Sequence, residues 1–60
     1  MKIELEFNLT RPAKKTGGDR YEFGVEKSPD HMVIYIPQVY SRAGGLPLSK
    51  VLISITNIVK

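Results

Sequence analysis

The stretch His31–Tyr40, HMVIYIPQVY, constrains the fold more than any other part of the chain. Read as extended backbone, Met32, Ile34 and Ile36 fall on one side, and Val33 and Tyr35 on the other, because side chains alternate faces with a period of two. A strand that is apolar on both sides calls for cover on both. In a chain of 60 residues the chain's own core supplies one cover, and a partner is expected to supply the second.

That expectation sharpens when the other means of stabilising a small domain are considered. Residues 1–60 make a single small β domain, and domains of this size lean on disulfides, metals or oligomerisation. The chain has no cysteine and one histidine, so disulfides are excluded, a zinc site is not expected, and no cofactor is implied. Oligomerisation, most simply as a homodimer, or an unusually good small sheet is what remains. The lack of cysteine also fits a cytoplasmic protein. The opening residues alternate charge with apolar side chains and do not read as a signal peptide. No run approaches the roughly 18 apolar residues of a membrane helix. Asn8-Leu9-Thr10 matches a glycosylation acceptor, which without an export signal reads as chance.

Four segments have strand character. In Lys2–Thr10, Ile3, Leu5, Phe7 and Leu9 alternate with Lys2, Glu4, Glu6 and Asn8, so a half-buried strand with an acidic outer face is expected. Arg20–Lys27 alternates again, with Tyr21, Phe23 and Val25 on one face, and Gly24 suggests a bend or bulge. Ser28-Pro29-Asp30-His31 is a turn, since proline pre-sets φ at its second position. It leads into the His31–Tyr40 strand, where Pro37 marks a change of pairing. His31 reads as a turn histidine without a partner to orient it. Lys50–Lys60 is the last strand, rich in β-branched residues, with Lys60 as a solubilising end. Between the last two, Gly44-Gly45 and Pro47 exclude all but a helical turn, and Leu46 and Leu48 are expected to fold back over the sheet as a lid. The fold class is therefore all-β: a small antiparallel sheet or an SH3/OB-like barrel of four to five short strands, with little or no helix.

Function is less sharply marked. No GxGxxG, Walker, GxSxG or HExxH pattern is present, and Glu4 and Glu6 on an exposed strand face lack the cleft that acid–base work needs, so no enzyme, catalytic residue or small-molecule substrate is expected. The net charge of +3 favours weak attraction to polyanions. Arg11, Lys14, Lys15 and Arg20 place four cations in ten residues around Gly17-Gly18, read either as a mobile arm that meets phosphates or as a solvated loop. Small β proteins bind nucleic acid by pairing such cations with aromatic platforms. The candidate contacts are Arg11, Lys14, Lys15, Arg20 and Arg42 for phosphates, and Tyr35 and Tyr40 for stacking. In length, basicity and β character the chain is similar in outline to small archaeal chromatin proteins and SH3-like barrels. It lacks the RNP-type aromatic motifs of cold-shock domains, and no family's residues are carried over. The expected function is non-specific binding of single- or double-stranded DNA, or of RNA. The alternative is an interaction or self-assembly module that uses an apolar face of Val33, Tyr35 and Leu52.

Overall fold

Period-two alternation gives four antiparallel strands in a computed structural model that describes residues 2–59. They are β1 (Lys2–Arg11), β2 (Gly18–Phe23), β3 (Met32–Pro37) and β4 (Lys50–Thr56), with one helical turn, α1 (Gln38–Ser41), after β3. Their order in the sheet is β3-β2-β1-β4. The sheet curls into a half-barrel and does not close, which leaves β3 and β4 as free edges. The molecule measures 36 × 32 × 16 Å, and the 16 Å dimension leaves room for one sheet and a thin cover on one face.

Strand order dictates where that cover runs. β3 and β4 lie at opposite edges, so residues 38–49 must cross the width of the sheet. They cross its inner face. That face carries Phe7, Leu5 and Ile3 of β1 opposite Val51, Ile53 and Ile55 of β4, and Tyr21 and Phe23 of β2 opposite Ile34 and Met32 of β3. The crossing segment hydrogen-bonds down onto it through the Tyr21 hydroxyl, which donates to the Leu48 carbonyl at 2.7 Å, and it then joins the sheet edge, where the Leu9 amide donates to the Ser49 carbonyl at 2.9 Å beside the Asn8–Lys50 pair. Among the described residues Phe7 and Tyr21 are the two apolar side chains that end fully buried, and Phe7 packs a tilted ring on Phe23 at 5.7 Å. The far half of the face stays open, with Ile3 46% and Ile55 47% exposed.

Several expectations are corrected. Strand two stops at Phe23, short of Lys27, because Gly24 and Lys27 take positive φ (84° and 70°) and turn the chain. A Cβ on Gly24 would also meet Asp30 and His31 backbone atoms at 3.3 Å. Val25, expected on the inner face, is consequently exposed. The Ser28–His31 turn forms, closed by the His31 amide on the Ser28 carbonyl. His31 does have a partner: the hairpin sets its Nε2 2.9 Å from Glu22 Oε1. Pro37 ends β3, and no fifth strand follows, since the chain turns into α1. β4 ends at Thr56, and Lys60 lies outside the described residues. Leu46 and Leu48 do not form a lid: the crossing segment contacts the sheet through the Ser41 and Arg42 side chains and the Leu48 carbonyl, and both leucine side chains are exposed. Among the described residues no helix is long and apolar enough to cross a membrane.

Candidate nucleic-acid interface

One end of the sheet carries a polar cluster on each face. On the inner face Asp19, the second residue of β2, sits opposite Ile36 and is fully buried. A buried carboxylate is tolerable only when it is paired and hydrogen-bonded. Arg42 donates to it in a fork, Nη2 to Oδ1 at 2.7 Å and Nε to Oδ2 at 3.0 Å. The Ser41 hydroxyl donates at 2.5 Å and the Ala13 amide at 2.7 Å. Arg42 Nη2 also donates to the Ala13 carbonyl at 2.8 Å. Five groups from β2, the β1–β2 loop and the end of α1 are thus locked together.

The donors shift the carboxyl. The Arg42 fork holds Asp19 far below the usual carboxylate range, with the Ser41 and Ala13 donors adding to it and burial opposing them. Glu22 is also held down, first by the hydrogen bond with His31, with a smaller contribution from the Arg20 charge. Both groups bind protons less readily folded than unfolded. Their stabilisation is therefore complete above the unfolded carboxylate pKa of about 4 and is lost as pH falls below it. The urea midpoint is expected to drop as pH is lowered from about 5 towards 2, with a smaller drop in Asp19→Asn. An identical drop in the variant would remove Asp19 from the account.

On the outer face a bulge between Leu9 and Arg11 resets the β1–β2 register. Arg11 comes opposite Arg20, and Arg20 comes opposite Tyr35, so the three form a row across β1, β2 and β3. Tyr35 is 64% exposed. Arg20 Nη1 donates to Glu22 Oε2 at 2.9 Å and to Thr10 Oγ1 at 3.3 Å, so its charge is partly balanced. Arg11, Lys14 and Lys15 are exposed, and among the described residues none lies within ion-pair distance of a carboxylate. The next row holds Asn8, Glu22 and Val33, with Lys50 on β4, and beyond it come Glu6 and Glu4. The outer face is therefore basic at the loop end and acidic along the middle of β1, with Lys2 beside Glu4 at the far end.

The basic loop, read from the sequence either as a mobile arm or as a solvated loop, is hydrogen-bonded to the rest of the fold. Ala13 is bound to Asp19 and Arg42, and the Gln38 side-chain amide donates to the carbonyls of Lys15 (3.2 Å) and Gly17 (3.0 Å). An open groove of about 500 Å³ runs between this loop and β3, lined by residues 15–18, Tyr35, Pro37 and Gln38.

Of the residues singled out in the sequence, Arg11, Lys14, Lys15, Arg20 and Tyr35 gather at one end. Tyr40 lies apart on α1 and is exposed. Arg42 faces the buried Asp19. In the alternative surface, Val33 and Tyr35 lie on β3 and Leu52 on β4, separated on that face by Arg20, Glu22 and Glu6. Gln38 and Gly18 were not legible as site residues, since each acts through contacts some twenty residues away in sequence. Comparison with protein-family models, with curated proteins and with solved structures finds no match.

Proposed function

We propose that this chain is a non-enzymatic protein that binds nucleic acid without sequence preference, with Arg11, Lys14 and Lys15 as its phosphate contacts and Arg20 beside them. The observation that carries the proposal is the convergence of exposed, unpaired cations at one end of the outer face, next to an exposed tyrosine. Phosphates bind such a surface by releasing condensed counterions, and the interaction carries no sequence information. The acidic rows beyond Asn8 require the polyanion to run across the strands at the loop end. A cytoplasmic location belongs to the same proposal, on the absence of cysteine.

The test is fluorescence anisotropy with labelled single- and double-stranded oligonucleotides over a range of salt. Contact with about three phosphates predicts roughly 20-fold weaker binding to a single strand at about 200 mM salt than at about 50 mM. No binding at the lower salt would refute the proposal.

A second reading, self-association into a homodimer, is favoured by the β4 edge. Val51–Asn57 carries no charge or proline to block pairing with another strand, and the open half of the inner face adjoins it. Sizing in solution tests this: a dimer supports it and a monomer across the working concentration range refutes it.

A further inference from the structure

Building on the phosphate contact proposed above, we infer that the ligand is single-stranded and that the groove between the basic loop and β3 holds one unpaired base, stacked on Tyr35. Tyr35 lies directly opposite Arg20 and lines the groove together with Lys15, so a base on its ring has two cations on the β2 and loop side to meet the neighbouring phosphates. In a duplex the base faces are covered by their neighbours, and a tyrosine standing on a sheet cannot reach them. An unpaired base offers its face freely.

The walls of the groove are fixed before any ligand arrives. The double hydrogen bond from Gln38 sets the positions of the Lys15 and Gly17 carbonyls. Gly17, which lines the groove, adopts φ 95°, a backbone conformation that favours glycine. Gly18 lets β2 and β3 approach closely, because a Cβ there would meet the Tyr35 and Ile36 backbone at 3.1 Å. Pro37 fixes the end of β3 beside the ring and presents no N–H to the groove. A preformed recess beside an exposed ring avoids ordering costs that a mobile arm would incur on binding. Of the polar side chains in the lining, the Gln38 amide nitrogen is already committed to the Lys15 and Gly17 carbonyls, which leaves the Tyr35 ring as the main contact for a base, and stacking on a ring tolerates any base.

The experiment compares an oligothymidine of about 15 nucleotides with an abasic strand of the same length, which keeps the phosphates and lacks the bases. Anisotropy is measured on the wild type, Tyr35→Ala and Tyr35→Phe. The expected result is that the wild type binds the abasic strand at least about fivefold more weakly than oligothymidine. Tyr35→Ala should show the same loss on oligothymidine and no further loss on the abasic strand, while Tyr35→Phe should bind as the wild type does. Equal binding of both strands by the wild type, with no effect of Tyr35→Ala, would overturn the base site and leave the phosphate contact standing. Binding to neither strand would remove the phosphate contact itself. If Tyr35→Ala does not fold, the wild-type comparison still decides whether a base is bound, and Tyr35→Leu then tests the ring, with the same loss on oligothymidine expected.

Discussion

Asp19→Ala is expected to lower the midpoint of thermal unfolding by more than about 10 °C, because it leaves a guanidinium, a hydroxyl and a backbone amide without their shared acceptor in a small domain. The stabilisation lies in the network more than in the ion pair alone. Asp19 receives two bonds from Arg42, one from Ser41 and one from the Ala13 amide, and these tie the basic loop and the crossing segment to β2. Beside this network, the buried Tyr21 and its hydrogen bond to the Leu48 carbonyl are the other hold on the crossing segment at this end. Ser41→Ala should cost less, since it removes one donor and leaves the Arg42 fork intact. Circular dichroism melts of the two variants test the ranking. An unchanged midpoint in Asp19→Ala would mean that the crossing segment is held by the contacts of Tyr21 and Leu48 alone.

Lys14→Glu/Lys15→Glu is expected to abolish oligonucleotide binding at low salt while the protein remains folded. Each change removes two units of charge, which takes the net charge from +3 to about −1. More important is where the change falls. Both side chains are exposed on the anchored loop, and their removal leaves Arg11 and a partly balanced Arg20 facing two new carboxylates. Loss of two of about three phosphate contacts, with repulsion added, predicts at least about 100-fold weaker binding. The loop's fixed points are the Ala13 backbone and the Lys15 and Gly17 carbonyls, none of which the substitutions alter, so stability should change little. Wild-type affinity in the double variant would exclude the basic loop from the interface.

The strands were legible wherever one face alternates cleanly. Ile3, Leu5, Phe7 and Leu9 announce β1, and Met32, Ile34 and Ile36 announce the inner face of β3. Closure was not legible, because four strands of these lengths suit either a barrel or an open sheet, and the crossing segment decides between them. Asp19 was hidden for a physical reason. Next to Gly17-Gly18 in a basic stretch it reads as a loop counter-charge, and the groups that justify burying it, Ser41 and Arg42, are 22 and 23 residues away. The same separation disguised Arg42 as a surface cation. Gly24 was correctly suspected of bending the chain, but its positive φ ends β2 outright, which moves Val25 and Glu26 off the sheet. The basic residues could be counted from the sequence. Their assembly into a row with Tyr35 depends on the bulge at the end of β1, which alternation does not predict.

Amide chemical-shift mapping of the ¹⁵N-labelled protein on titration with oligothymidine tests the interface most directly. Shifts are expected in residues 11–20 and in Tyr35 and Gln38 alone, with the amides of Ile3, Leu5, Ile53 and Ile55 unmoved. Shifts centred on those inner-face residues, or no shifts at a concentration that saturates anisotropy, would contradict that interface.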